Sequence, residues 1–305
     1  MSSMLRAIKS ENPDTAFRSK SPKLKLPFPD PGEPKHSDEE TGHWKRHVRS
    51  VWISDTHLGT KGCKADYLLD FLKNVQCRHL FLVGDIIDGW QIKRKGPYWS
   101  QAQTDVIRRV MKCAKKGTQV YYIPGNHDEA LRDYLDIDIA GIHVVEEAIH
   151  KTADGRKLLI LHGDAFDSVV RYARWLAFLG DYSYQFLLRL NHSVNTIRRI
   201  FGLPYWSLSA FLKLKVKNAV EFISRFEEAV AHEAAERGVD GVVCGHIHHA
   251  EIKEIQGITY YNDGDWVESC TALVEHFDGR MEILRWAEQD DVKARLKKRT
   301  KALPS

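Results

Sequence analysis

Residue types that bind metal ions or carry protons follow the first candidate strand of the chain. The stretch VWISDTHLG, residues 51–59, begins with the apolar residues of a buried strand and continues with Asp55 and His57. Residues two apart in a strand point to the same side, so both side chains can converge beyond its carboxyl end. An acid and a histidine at this spacing arise by chance about once in such a chain, so the pair alone is weak evidence.

Four further apolar runs end in the same way, each in a Gly-flanked group of Asp, Asn or His. In chain order these groups are GDIID, PGNHDE, HGD and GHIHH. The glycines let the backbone bend tightly and bring ligand side chains close together. Any one group would be explained as a polar turn, but five in succession predict a shared site. The candidates are Asp55, His57, Asp85, Asp88, Asn126, His127, His162, Asp164, His246 and His248.

The order of these groups resembles the signature of calcineurin-like metallophosphoesterases: D-x-H, GDxxD, GNH[D/E], H and GHxH. The resemblance covers residues 50–262, and no element of the signature is missing. It implies an α/β fold, a four-layer αββα sandwich with a helical cap insertion, and a metal-dependent hydrolase of phosphoric esters or anhydrides. The alternative from another class is a non-catalytic binding relative, but such relatives usually lack one or more ligands.

The residue types fit the chemistry of that family. Hydrolysis of a phosphate ester or anhydride requires an activated water and neutralised phosphoryl oxygens, and two metal ions about 3.5–4 Å apart supply both. Mixed carboxylate, imidazole and amide ligands suit Mn, Fe or Zn, and the many histidines favour Mn or Fe over Mg. We therefore expect two divalent ions, with Mn as the first choice and Fe or Zn as alternatives.

The family pattern also implies a role for each candidate residue. Asp55, His57 and His248 would hold one metal ion, Asn126, His162 and His246 would hold the other, and Asp85 would bridge them. His127 would lie over the phosphate, as general acid or as a cation that stabilises the transition state. Asp88 would orient His127 and raise its pKa. Asp128, by contrast, is predicted to cap the helix that follows it.

Composition divides the rest of the chain. Residues 1–46 are rich in Pro, Ser, Lys and acids without an apolar period, which is typical of a disordered tail. Residues 47–288 alternate short apolar runs with helical stretches at 65–75 and 102–116, which predicts a layered α/β domain with parallel strands. The turns QG at residues 256–257 and DGR at residues 278–280 favour an antiparallel run among the strands after residue 241. The basic residues 289–305 are predicted to be a frayed tail.

A helical cap is predicted for residues 166–237, between the fourth and fifth groups. Between residues 165 and 225 the chain has nine Lys or Arg against three acids, whereas its total net charge is +4. Basic, apolar and aromatic residues at helical spacing suit an amphiphile with an anionic head, or an anionic membrane surface. An ordinary amphipathic subdomain is the alternative. The predicted substrate contacts are Asp164, Arg171, Arg174, Lys215 and Lys217.

Within the family, the cap position and the stretches HGD and CGHIHHA resemble the UDP-2,3-diacylglucosamine pyrophosphatases of lipid A biosynthesis. That branch cleaves a pyrophosphate at the cytoplasmic face of the inner membrane. It typically has Arg in the place of His127, and Glu is common in the place of Asp88. The resemblance implies a phosphorylated, acylated small-molecule substrate. A phosphodiester or phosphomonoester of another phospholipid, or a soluble nucleotide, is the alternative.

Overall composition limits the remaining classes of function. A length of 305 residues suggests one large domain or two small ones, and the net charge of +4 is too small to indicate a nucleic-acid partner. Five cysteines, without a CxxC pair, are typical of a reduced cytosolic chain. Neither a signal-peptide core nor an apolar run of roughly 20 residues is present. We therefore expect a cytoplasmic protein, at most peripheral on the inner membrane.

Overall fold

A computed structural model of the chain describes residues 46–96, 98–167 and 208–301. The predicted N-terminal tail and most of the predicted cap, with Arg171 and Arg174, lie outside the described residues. Lys215 and Lys217 lie in a described helix, but in a part of it where no side chain is described. The predicted substrate contacts of the cap therefore stay predictions.

Short strands alternate with helices through the first half of the described chain, as the apolar runs predict. The strands are β1 Arg46–Ile53, β2 Val75–Val83, β3 Gln119–Ile123, β4 Asp138–Ile139, β5 Ile142–Val144, β6 Ala148–Lys151, β7 Lys157–Ile160, β8 Gly241–Cys244, β9 Glu251–Ile255, β10 Ile258–Asn262, β11 Thr271–Glu275 and β12 Met281–Arg285. The helices are α1 Ala65–Asn74, α2 Gly89–Lys95, α3 Gln101–Lys115, α4 Leu208–Glu236 and α5 Asp290–Lys301. Single 3₁₀ turns lie at Glu129–Tyr134, Asp164–Phe166 and Trp286–Glu288.

The strands form two sheets. The first has seven strands in the order β12-β11-β1-β2-β3-β5-β4, and the second has five in the order β6-β7-β8-β10-β9. Strands β1, β2, β3 and β5 run parallel in the first sheet, and β7, β8 and β10 run parallel in the second. The polar groups that follow β1, β2, β3, β7 and β8 therefore lie at carboxyl ends of parallel strands, where α/β proteins place ligands.

Three apolar layers hold the sheets and helices together. Between the sheets, the ring of Phe81 stacks on Trp52 with centroids 5.3 Å apart and on Tyr121 with centroids 5.0 Å apart, and Ile160 and Val243 of the second sheet belong to the same core. Helices α1 and α3 cover the outer face of the first sheet, and α4 covers the outer face of the second. The four-layer αββα sandwich is thus confirmed.

Helix α4 corrects the predicted end of the cap. Phe226, Val230 and Ala234 are fully buried against the second sheet. Their spacing of four residues places them on one face of the helix, which is the pattern of a helix packed on a core. The second half of α4 is therefore a layer of the sandwich and not part of a cap that reaches residue 237.

Within the predicted frayed tail 289–305, the described residues 289–301 are ordered rather than frayed. Residues Asp290–Lys301 form α5, in which Val292 is fully buried against the α1 side of the core. The guanidinium of Arg295 donates to both oxygens of Asp70, at 3.2 and 2.9 Å. A short polar helix is marginal alone in water, so these tertiary contacts hold α5 in place.

The predicted antiparallel run is correct for two hairpins, β9 with β10 and, across the turn DGR at residues 278–280, β11 with β12. Strand β10 pairs parallel with β8, and β11 leaves this sheet to pair antiparallel with β1 of the other. The turn at Gln256 and Gly257 identifies the hairpin of β9 and β10, because both residues have the positive φ that such turns need. The crossing of β11 depends on packing between the sheets, which no local turn signal records.

Candidate metal centre

Left-handed backbone is concentrated at the strand ends. Five predicted metal ligands have a positive φ: Asp55 at 49°, His57 at 48°, Asp85 at 53°, His246 at 70° and His248 at 55°. This conformation is uncommon for residues with a side chain and costs of order 1–3 kcal/mol each. Such strain persists where the surrounding structure enforces it, and clusters of it mark functional sites.

Glycines beside these residues leave room for the ligand side chains. A Cβ atom on Gly84 would lie closer than 3.0 Å to the ring of His162, and one on Gly125 would be as close to the carboxylate of Asp85. Similarly, a Cβ on Gly245 would overlap the carboxylate of Asp55. The glycines therefore act through their missing side chains, because any larger residue would displace a predicted ligand.

One cluster consists of Asp55, His57 and His248, whose candidate ligand atoms lie within 4.8 Å of one another. The Oδ2 atom of the buried Asp55 accepts a hydrogen bond of 2.8 Å from the amide of His246. Its other oxygen, Oδ1, lies 3.0 Å from Nε2 of His248 and 3.9 Å from Nε2 of His57. The Oδ1 atom and the two imidazoles therefore face one another, as ligands of a single cation would.

The second cluster consists of Asp85, His162 and His246, again within 4.8 Å. Nδ1 of His162 donates to the carbonyl of Val83 at 2.8 Å, which leaves Nε2 as the atom that faces Asp85. Nε2 of His162, Oδ1 of Asn126 and Oδ1 of Asp55 are among the buried side-chain atoms of the described residues that have no hydrogen-bond partner. Buried polar atoms are rarely left unpaired, so their grouping at the predicted ligand positions fits a bound metal ion.

Asp85 belongs to the second cluster and lies beside the first, because its carbonyl accepts a hydrogen bond of 2.9 Å from the amide of His57. Its Oδ1 accepts a hydrogen bond of 2.8 Å from the amide of His127, and its Oδ2 lies 3.5 Å from Nε2 of His162. Burial raises the pKa of Asp85 and so does the nearby charge of Asp55, but the imidazole of His162 outweighs both and lowers it. An ionised carboxylate in this position suits the bridging role that the family pattern implies.

One carboxylate orients two of the site's histidines. Oδ2 of Asp88 lies 3.2 Å from Nδ1 of His57, and its Oδ1 lies 3.1 Å from Nδ1 of His127. Asp88 also caps α2 by accepting from the amide of Gln91 at 2.8 Å. Burial lowers the pKa of His127, but the hydrogen bond and charge of Asp88 and the charge of Asp85 outweigh it and raise that pKa. Asp88 thus lies where the prediction requires it.

The field of the site is strongly negative. Burial lowers the pKa of His162, but Asp85 outweighs it and raises that pKa to about 10. Burial likewise lowers the pKa of His248, and Asp55 raises it to about 9. A field that favours protons on buried imidazoles also favours divalent cations. Carboxylate, amide and imidazole donors together fit Mn, Fe or Zn.

Asp128 does not have the capping role that the sequence predicted. Its carboxylate accepts hydrogen bonds from the amide of Gly125 at 2.6 Å, the amide of Ile86 at 2.8 Å and the hydroxyl of Tyr122 at 2.5 Å. No side-chain bond caps the 3₁₀ turn that follows it. Asp128 instead joins the turn after β2 to the turn after β3, and so holds Asp85 and Asn126 at one place.

Asp167 is a residue that the sequence argument missed. Its Oδ1 lies 2.7 Å from Nε2 of His246, so Nδ1 of that ring is the atom left for a metal ion. A carboxylate in this position fixes the orientation and tautomer of a ligating histidine. The stretch HGDAFD places a second acid three residues after Asp164, but this spacing does not indicate that the acid pairs with His246.

The structure pairs Asp164 with an arginine. Both of its carboxylate oxygens accept from Nη2 of Arg132, at 2.9 and 2.8 Å. The same nitrogen donates to the carbonyl of Pro124 at 3.2 Å. Arg132 therefore ties the turn after β7 to the turn after β3, and a direct contact between Asp164 and substrate stays a prediction.

The fold and this site define a class. A family model described as calcineurin-like phosphoesterase matches residues 48–250, which is more than half of the chain. The chain therefore belongs to the calcineurin-like phosphoesterase family and is a metal-dependent phosphoester hydrolase.

Curated relatives share the name of one enzyme within this class of hydrolases. UDP-2,3-diacylglucosamine hydrolase of Haemophilus influenzae (strain PittGG) is 24% identical over 237 residues, covering 74% of this chain and 94% of the relative. The enzyme of that name from Neisseria meningitidis serogroup B is 25% identical over 244 residues, covering 74% and 92%. A solved structure of a Vps29 single mutant from Entamoeba histolytica is 14% identical and covers 77% of this chain and 97% of its own, with a TM-score of 0.37.

Proposed function

We propose that this hydrolase cleaves a pyrophosphate or phosphate ester in a lipid-linked or nucleotide-linked substrate such as UDP-2,3-diacylglucosamine. The observation that carries the proposal is the pair of ligand clusters, the second of which contains Asp85, with unpaired buried atoms on His162 and Asn126. The names and coverage of the relatives support this substrate. Mn is the proposed metal, with Fe or Zn as alternatives that the same donors suit.

The side chains around the clusters have separate tasks. Two divalent ions held there would neutralise phosphoryl oxygens and lower the pKa of the attacking water. The side chain of His127 is 25% accessible, and its Nε2 lies 3.9 Å from Oδ2 of Asp85. Because Asp88 binds its Nδ1, its Nε2 is the atom that would give a proton or positive charge to the leaving oxygen.

The cap supplies the argument for an amphiphilic substrate. Nine basic residues between positions 165 and 225 accompany a high apolar and aromatic content, which suits a phosphorylated head and an acyl chain, or the anionic surface of the inner membrane. Among the described helices, α4 included, none has the length and apolar content to cross a bilayer. We place the enzyme in the cytoplasm, peripheral on the inner membrane, with no nucleic-acid partner.

One observation favours a second candidate. His127 and Asp88 form the ordinary phosphoesterase pair, whereas the diacylglucosamine branch typically has Arg and often Glu there. A phosphodiesterase or phosphomonoesterase acting on another phospholipid or a soluble nucleotide is therefore the alternative.

The test compares kcat/KM for matched substrates with and without acyl chains. Each buried CH₂ is worth about 0.8 kcal/mol, so the wild type should prefer the acylated substrate by orders of magnitude. Replacing Arg171, Arg174, Lys215 and Lys217 by Gln should lower kcat/KM for both substrates, because the anionic head that both substrates carry loses its partners. The control variant replaces Lys112 and Lys115 of α3, which are exposed basic residues outside the cap. Equal kcat/KM for the two substrates in the wild type would leave the second candidate as the better reading.

A further inference from the structure

An apolar cavity lies on the outer face of the first sheet, under α3. It has a volume of about 210 Å³. Val106, Ile107 and Val110 line it from α3, while Leu82 and Val144 line it from β2 and β5. Its described lining contains no charged residue and none of the predicted metal ligands. The cavity is therefore a gap between one helix layer and one sheet, outside the metal centre.

The cavity lies directly behind the turns that carry the metal ligands. Thr56 lines it from between two predicted ligands in the turn after β1. Ile86 and Ile87 line it from the turn after β2, where they separate Asp85 from Asp88. The same turns therefore face the metal centre with one set of side chains and the cavity with another. An occupant of the cavity would contact these turns from behind.

The hydroxyl groups of the described lining are already used within the protein. The hydroxyl of Thr56 donates to the carbonyl of Ile86 at 2.7 Å, and the hydroxyl of Tyr122 donates to Asp128 at 2.5 Å. A buried water needs two to four polar partners, and a cavity lined by aliphatic side chains stays dry. The cavity therefore favours an apolar ligand over water.

Exposed apolar side chains mark the entrance of the cavity. Met111 of α3 and Ile139 of β4 belong to the lining, and they are 43% and 47% exposed. The methionine side chain is flexible and adapts to the shape of a ligand. A hydrocarbon chain that entered between these two residues would contact apolar groups along its length and would keep a polar end in water.

We propose that this cavity binds the alkyl chain of a small amphiphile whose polar end stays at Met111 and Ile139. An engineered aliphatic cavity of about 150 Å³ binds benzene. The volume of about 210 Å³ therefore suits a chain of about six to eight carbons. The site does not depend on the substrate proposed above, because it lies outside the metal centre and its test uses no substrate.

Methyl NMR of the full chain tests this proposal. The chain has only four methionines, so carbon-13 labelling of their methyl groups gives few signals, one of which reports on Met111 at the entrance. The probes are 1-butanol, 1-hexanol and 1-octanol. The Met111 signal should shift to saturation, with binding about fourfold tighter for each added CH₂ until the cavity is full. Met281 of β12 lies outside the lining and is the internal reference.

A matched probe and matched variants separate this site from general attraction. The diol 1,6-hexanediol has the length of 1-hexanol but would bury an unpaired hydroxyl, so it should bind at least about tenfold more weakly. Val110→Phe fills the cavity and should weaken hexanol binding at least about tenfold. Val110→Ala enlarges the cavity and should lengthen the preferred chain by about one carbon. Val220→Ala is the same deletion at an exposed site of α4 and should bind as the wild type does.

Three results would overturn the proposal. They are a Met111 signal that does not saturate, a diol that binds as tightly as hexanol, and folded Val110 variants that bind like the wild type. If Val110→Phe does not fold, the preferred chain length of Val110→Ala decides. A dimer in sedimentation that Ile139→Ser dissociates would assign the entrance to a second copy of the chain, and would overturn the proposal as well.

Discussion

His127 and Asp88 differ from the metal ligands around them in what they contact. His127 touches Asp88 through Nδ1 at 3.1 Å and is more exposed than His162, whose side chain is almost fully buried. We therefore expect His127→Ala to keep its metal ions and lose kcat by about 10²–10⁴-fold, the usual contribution of a general acid. Metal content and turnover should be measured on the same sample. Loss of metal from this variant would show that His127 is a ligand.

Asp167 should act on metal affinity through His246. Asp167→Asn keeps the shape of the side chain but removes the charge 2.7 Å from Nε2 of His246. We expect metal affinity to fall by about 10–100-fold, while kcat at saturating metal changes little. A Mn²⁺ titration followed by electron paramagnetic resonance measures this without turnover. Asp105→Asn on α3 is the control, and equal affinity in both variants would remove the role assigned to Asp167.

At the scale of elements, α5 makes a clear stability prediction. Val292 of α5 is fully buried, whereas Val220 of α4 is 61% exposed. Val292→Ala should lower the free energy of unfolding by on the order of 2 kcal/mol, because it leaves a gap in the core. Val220→Ala should leave that free energy nearly unchanged. Urea unfolding of both variants provides the comparison, and coincident curves would mean that α5 does not pack on α1.

Glu275 of β11 couples stability to pH. Burial raises its pKa, but His150, Ser50 and the amide of Ala153 outweigh burial and lower the pKa from 4.5 to about 2. The ionised form therefore stabilises the fold above about pH 4.5, and this stabilisation is lost as the pH falls toward 2. Glu275→Gln should be less stable than wild type by about 3 kcal/mol at pH 7. Unfolding at a series of pH values should show the gap closing in acid, and a constant gap would contradict this.

At the scale of the whole molecule, the sequence predicts the site better than the contacts that support it. Asp55, Asp85 and His162 could be predicted because ligand types and glycines recur at strand ends, where parallel strands bring them together. The pairing of Asp167 with His246 joins residues 79 positions apart. Local spacing carries no information about such a contact, so it could not be predicted.

For the layers of the sandwich too, the sequence predicts the elements but not the contacts between them. The spacing of Phe226, Val230 and Ala234 already marked a buried helix face, but nothing local indicated whether that face met a cap or a sheet. Likewise, the apolar run of β11 predicted a strand, while its partner β1 lies in the other sheet from β10. Element types follow from periodicity, and the assembly of layers follows from non-local packing.

The measurement that tests the central claim most directly is the number of metal ions per chain against the rate of phosphoester hydrolysis. Chelated protein should be inactive, and activity should rise with metal content as it approaches two ions per chain. Asp85→Ala should recover neither metal nor activity, because the variant lacks the carboxylate of the second cluster that is proposed to bridge the two ions. Hydrolysis at the wild-type rate by a chelated sample that contains no metal would contradict the account.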